Sequence, residues 1–166
     1  AYLRRASSRF LVASTWRGAW VVMPGCASLT AILSIEPTAL GAVYVIGAVM
    51  WAAGFAIEVM ADRQKSRFKA DRANEGRFIN TGLWARSRHP NYFGEILLWV
   101  GIAVMAIPYL SGTQWVVMLS PLFVYALLTR ISGIPTLVRR GQALWGDDPA
   151  YQDYLSSTPL LVPRLR

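Results

Sequence analysis

The stretch Arg86-Ser87-Arg88-His89-Pro90-Asn91-Tyr92-Phe93-Gly94-Glu95 gathers the only histidine of the chain, two arginines and a carboxylate, and then runs straight into an apolar segment. Proline fits the first turn of a helix, where its missing N–H costs nothing. The spacing therefore predicts a helix opening at Pro90 with His89 at the N-cap. Asn91 and Glu95 stand four apart, on one face of the first two turns. The free N–H groups of a helix start, with Arg86 and Arg88 beside them, suit an anion such as a phosphate. Glu95 leads into residues 96–107, which are almost wholly apolar, and an ionisable residue at the edge of a membrane span is a functional candidate. The plainer reading is a capped helix whose interfacial charges snorkel.

Those residues need elements to hold them. Residues 18–35 form an uncharged run just long enough to span a bilayer, with Pro24 as a kink. A short turn at Glu36-Pro37-Thr38 leads to a second uncharged run, 39–57. Its Gly41, Gly47, Ala48, Ala52, Ala53 and Gly54 permit close helix approach. From Glu58 the polarity changes. Glu58, Asp62, Lys65, Lys69 and Arg72 recur at spacings of three and four, which predicts that the same helix continues past the membrane to about Arg72 with a charged face. Asn74-Glu75-Gly76 is its stop signal. A loop with a turn at Thr81-Gly82 precedes the central stretch. The third span, 92–107, closes at Pro108, and Ser111 to Gln114 makes the next turn. The fourth apolar segment, 115–128, is interrupted by Pro121 and short for a span, though a snorkelling Arg130 extends its reach. Ser132-Gly133-Ile134-Pro135 reads as a helix break before a tail with Trp145, Tyr151 and Tyr154.

Composition agrees with this layout. Only 16% of the 166 residues are charged and 54% are hydrophobic, against ~25% charged in a soluble domain. Seven tryptophans and seven tyrosines suit two membrane interfaces. The lone Cys26 excludes an internal disulfide framework, and one histidine with one cysteine argues against a protein-built zinc or iron site. The chain begins at Ala1 without a signal-peptide pattern, as a processed chain or a piece of a longer one would. All seventeen basic residues fall before the first run, between the second and third, or after the fourth. The turns at Glu36 and Ser111 hold none. By the positive-inside rule this gives a polytopic, all-α membrane bundle of about four spans with both termini cytoplasmic, a single domain over 1–166. It also accounts for the net charge of +8 without nucleic acid as a partner. Three polar groups then meet on the cytoplasmic side: the charged extension 58–72, the central stretch, and Arg130 with the tail tyrosines. A cavity between them has a cationic wall for a phosphorylated cofactor and apolar depth for a lipid-like molecule. Taken singly, Lys65, Lys69 and Arg72 serve equally to attract anionic headgroups.

Gly82-Leu83-Trp84 followed by Ser87 to Glu95 resembles the C-terminal domain of the steroid 5-alpha-reductase family, most closely its bacterial-type reductase-like branch. A second signature agrees: Ser132-Gly133-Ile134-Pro135, Trp145-Gly146, Tyr151, Tyr154, and Thr158-Pro159 through Pro163. The resemblance extends from about Phe10 to the C-terminus. Isoprenylcysteine carboxyl methyltransferases share a form of the Arg-His-Pro motif, but not the Ser-Gly-Ile-Pro segment. The resemblance implies NADPH-dependent reduction of a C=C bond in a steroid or other lipid-like substrate. It implies cofactor contacts at Asn91, Glu95, Tyr92 and His89 in the central motif, and at Trp84 before it. Arg88, Arg130, Asp62 and Lys65 are implied near phosphate or ribose, and Tyr151 and Tyr154 in the tail that closes the cofactor cavity. Val138 stands where that branch usually carries a glutamate. The family's catalytic Glu–Tyr pair belongs to spans N-terminal to this region, so catalytic residues are not assigned here. Either other membrane subunits supply that half, or the chain is a non-catalytic accessory subunit of a larger membrane complex. Methyl transfer from S-adenosylmethionine is the lesser alternative.

Overall fold

The computed structural model describes residues 41–164. The uncharged run 18–35 expected as the first span, its turn at Glu36 and Cys26 lie outside them, and so does the sidedness of the N-terminus. The chain is all-helical, with no strand among the described residues. Three segments there are long and apolar enough to cross a membrane: Ala42–Ala70, Pro90–Tyr109 and Gly112–Trp145. The protein is an integral, multi-pass membrane protein.

Helix α1 runs without interruption from Ala42 to Ala70. At ~1.5 Å per residue its 29 residues cover ~43 Å, well beyond a ~30 Å hydrocarbon core. The charged extension foreseen from Glu58 onward is therefore one rod with the span. It ends at Ala70, two residues short of Arg72. Asp71 caps the following 3-10 turn, Arg72–Asn74, by accepting from the Ala73 amide at 2.9 Å. Gly76 then reverses the chain with a positive φ of 76°.

Helix α2, Pro90–Ala106, opens with Pro90 in its first turn and His89 at the N-cap, as the spacing required. The His89 side chain makes no capping hydrogen bond. Helices α1 and α2 form the most extensive pairing among the described residues. Only Gly47, Gly54 and Ala61 of α1 are buried; Gly47 meets Gly101 and Met105, and Gly54 meets Leu98 and Gly94. A Cβ on Gly54 would stand 2.6 Å from the Gly94 carbonyl oxygen, and one on Gly101 2.5 Å from the Trp51 amide nitrogen. Glycine costs ~1 kcal/mol of helix propensity relative to alanine. Here it lets two backbones touch, which small residues permit between membrane helices. The outer side of α1, with Val45, Ile46, Val49, Trp51 and Phe55, stays exposed.

The third apolar segment is helical but of mixed type. A 3-10 stretch, Gly112–Leu119, starts at a capping box of Ser111 and Gln114. It passes into α3, Ser120–Ala126, with Pro121 in the first turn where no N–H is missed. A π segment follows at Leu127–Ile131. The expected break is there at Ser132 and Gly133, both outside the helical conformation, and Pro135 sits in the first turn of α4, Ile134–Trp145. Helix α5, Pro149–Ser157, carries Asp148 as a true N-cap, accepting from the Ala150 amide at 2.9 Å. The core lies where α2 meets the third segment, at Ala103, Ala106, Val117, Val124, Leu127 and Leu128.

Candidate functional site

Beyond the membrane end of α1, the chain encloses a cavity of about 480 Å³, within the ~300–1,000 Å³ usual for a small-molecule site. Its wall is drawn from five places. The extension of α1 supplies Lys65, Phe68 and Lys69, and the reversal after it Gly76 to Ile79. The central stretch supplies Trp84, Arg88 and His89. Helix α4 supplies Leu137, Val138, Arg140, Gly141, Leu144 and Trp145, and α5 supplies Tyr151, Tyr154 and Leu155. Lys65, Lys69, Arg77, Arg88 and Arg140 make the wall cationic, and among the described residues no carboxylate lines it.

Trp84 holds the site together. It is 5% exposed, and its indole N–H donates to the Ala61 carbonyl on α1 at 3.0 Å. The Tyr154 hydroxyl donates to the Trp84 carbonyl at 2.7 Å, which fastens α5 to the same loop. Lys65 Nζ lies 5.0 Å from the Trp84 ring centroid, a cation–π placement that keeps the ammonium at the cavity edge. Gln64 accepts from the Leu83 amide at 2.9 Å, beside Gly82 in a left-handed conformation (φ 61°). Around Phe78 the rings of Trp145, Tyr151 and Tyr154 stand at 6.0, 5.0 and 5.4 Å. Burial, partly opposed by the Arg88 charge, pushes the Tyr154 hydroxyl up to about 12, so it stays protonated and keeps its donor role.

His89 is 9% exposed and stacks on Tyr92 at 5.6 Å. Its Nδ1 and the Nε of Arg88 are buried without a hydrogen-bond partner. Burial first, then the Arg88 and Lys65 charges, push His89 down to about 4. The unfolded chain, near the ordinary 6.5, then binds more protons than the native one between pH 4 and 6.5. Stability contributed by neutral His89 is complete above that window and is lost as pH falls through it, by up to ~3 kcal/mol. Thermal unfolding should show a steeper loss from pH 7 to pH 5 in the wild type than in His89→Gln. Parallel losses in the two proteins would refute the assignment to His89.

Of the residues expected at a cofactor, Lys65, Trp84, Arg88, His89, Tyr151 and Tyr154 are brought together here. Asp62, Asn91, Tyr92, Glu95 and Arg130 do not line this cavity. Glu95 instead lies within electrostatic range of Glu58 and Asp62, with Tyr92 close to Glu95 and Asp62. The Asn91 Oδ1 is buried and unpartnered. Arg130 is exposed on the π segment. Sequence reasoning passed over Phe68, Arg77, Phe78, Arg140 and Gly141. The amphipathic period of 134–145 was the available signal for Arg140 and Gly141. Phe78 sits in a loop and had none.

A family model described as "Protein of unknown function (DUF1295)" matches residues 4–158. The Delta(14)-sterol reductase of Saccharomyces cerevisiae is 39% identical over 77 residues, a stretch covering 40% of this chain and 17% of that enzyme. No solved structure matches the chain.

Proposed function

The chain belongs to the DUF1295 family, and from that premise we propose that it is the cofactor-holding part of a membrane reductase that uses NADPH to reduce a C=C bond in a steroid or other lipid-like substrate. One observation carries the reading. The cavity combines five cations, no carboxylate among the described residues and an aromatic lining, with buried polar atoms of Arg88 and His89 left unpartnered. That is the chemistry of a polyanionic ligand with flat heterocyclic ends. Lys65, Lys69, Arg77 and Arg140 would neutralise phosphates, and Arg88 has the planar fork that grips them in pairs. Phe78, Trp84, Trp145 and Tyr151 offer ring faces. Bound NADPH would supply a hydride. The chain's own part is to bind, to orient and to keep water out. Likeness to a sterol reductase over part of the chain supports the lipid-like substrate.

Saturable binding of NADPH to the purified protein tests this reading directly. Arg88→Ala should weaken it roughly ten- to a hundredfold, the cost of one buried charge-assisted hydrogen bond, whereas Asn91→Ala, outside the cavity wall, should change it much less. A second reading, a non-catalytic subunit of a larger membrane complex, is favoured by Val138. This apolar residue stands in the cavity wall at the position where the reductase-like branch usually has a glutamate. Folded protein that shows no saturable NADPH binding would leave the subunit reading in place.

A further inference from the structure

The backbone that aims Arg88 and His89 is held from outside its own loop. The Arg88 amide donates to the Pro159 carbonyl at 2.9 Å, and the Arg164 amide to the Arg86 carbonyl at 3.0 Å. Between these two bonds lies Ser87, 0% exposed. Its hydroxyl donates to the Leu161 carbonyl at 2.8 Å and accepts from the His89 amide at 3.1 Å. A single buried oxygen thus ties the C-terminal segment to the N-cap of α2. It satisfies an amide that the helix start leaves free. His89 itself sits at φ −140°, ψ 63°, outside the helical region, with a side chain that makes no cap.

We propose that Ser87 is a positioning residue of the cavity, and that Arg88 and His89 are aimed into it only when residues 159–164 are seated on this hydroxyl. Ser87 does not line the cavity and touches no ligand. Its effect passes through the peptide on either side of Arg88. Without the hydroxyl, the part-buried Leu161 carbonyl and the buried His89 amide are both left unsatisfied, and the segment lifts to recover them with water. The tail then belongs to the binding site, although it contributes no cation to the wall.

The inference rests on the proposed cofactor role for its affinity readout, but not for its second readout. His89 is the only histidine in the chain, so its ring gives one resonance in a ¹³C-histidine-labelled sample. In the wild type that resonance should titrate near 4, because burial and the neighbouring Arg88 and Lys65 charges hold it there, with Tyr92 covering its face. In Ser87→Ala the midpoint should move toward 6.5 as the ring is hydrated, and NADPH affinity should fall about tenfold. Ser87→Cys, which keeps size and a weak donor, should recover part of both. Should Ser87→Ala fail to fold, Arg164→Pro decides. It deletes the amide that bonds Arg86 and leaves Ser87 intact, and it should shift the midpoint in the same direction. A folded Ser87→Ala with an unmoved His89 midpoint overturns the proposal, whatever its affinity. A shifted midpoint in a protein whose wild type binds no NADPH removes the cofactor reading and leaves the positioning role standing.

Discussion

Gly54→Val is expected to force α1 and α2 apart and to cost about 3 kcal/mol or more. A Cβ at this position meets the Leu98 amide nitrogen at 2.5 Å and the Gly94 carbonyl oxygen at 2.6 Å. Those are backbone atoms, which cannot rotate aside as a side chain can. Overpacking a tight core typically costs ~1–3 kcal/mol, and a rigid neighbour puts the site at the upper end of that range. Ala56→Val, on the exposed side of the same helix, keeps the chemistry of the substitution and removes the collision. It should be close to neutral. Unfolding both variants in mixed micelles with increasing denaturing detergent measures the difference. Equal midpoints for the two would show that α1 and α2 are not in backbone contact.

The second large effect is electrostatic. Lys65→Glu combined with Arg140→Glu should abolish NADPH binding, by more than a hundredfold, without unfolding the protein. Each change removes a cation from the wall and sets a carboxylate against phosphate. Each lost charge-assisted contact alone is worth ~1.5–3 kcal/mol. Lys65→Glu also gives up the ~0.5–1 kcal/mol of its placement over Trp84. The control is Arg72→Glu, an exposed cation that does not line the cavity. Its effect should be several times smaller and should vanish at ~1 M salt, where exposed charges are screened beyond ~3 Å. Equal losses for Arg72→Glu and the double variant would mean a general basic surface and no site.

The helix start at Pro90, the unbroken rod through Glu58 and the close approach at Gly47 and Gly54 were all legible in the sequence. Each rests on local chemistry: a ring that fixes φ, a charge period that continues a helix, a missing side chain. The partition of the central stretch was not legible. Arg88 and His89 turn into the cavity, whereas Asn91 and Glu95, only a few residues on, do not line it. Helical spacing says which residues share a face. It does not say which neighbour covers that face. Ser132-Gly133-Ile134-Pro135 was legible too: the helix ends at Ile131, Ser132 and Gly133 leave the helical conformation, and Pro135 falls in the first turn of the next helix, where its missing N–H costs nothing. Phe78 lies outside any period, and only the fold gathers three rings around it.

The buried positions of α1, Gly47, Gly54 and Ala61, are spaced by seven, as are Gly94 and Gly101 opposite. A seven-residue period winds two helices into a left-handed supercoil, crossing at about +20°. Small residues every four would instead favour a right-handed crossing of about −40°. Lys65 stands eleven positions past Gly54, ~16 Å along the rod. Over that length the shallow crossing lets the axes diverge by ~6 Å and the steep one by ~11 Å. Trp84 is pinned to α1 itself at the Ala61 carbonyl, so Lys65 keeps its place by that ring either way. What a shallow crossing favours is the nearness of His89, at the start of α2, to Lys65 on the extension, so the spacing of small residues inside the bilayer bears on the width of the cavity outside it.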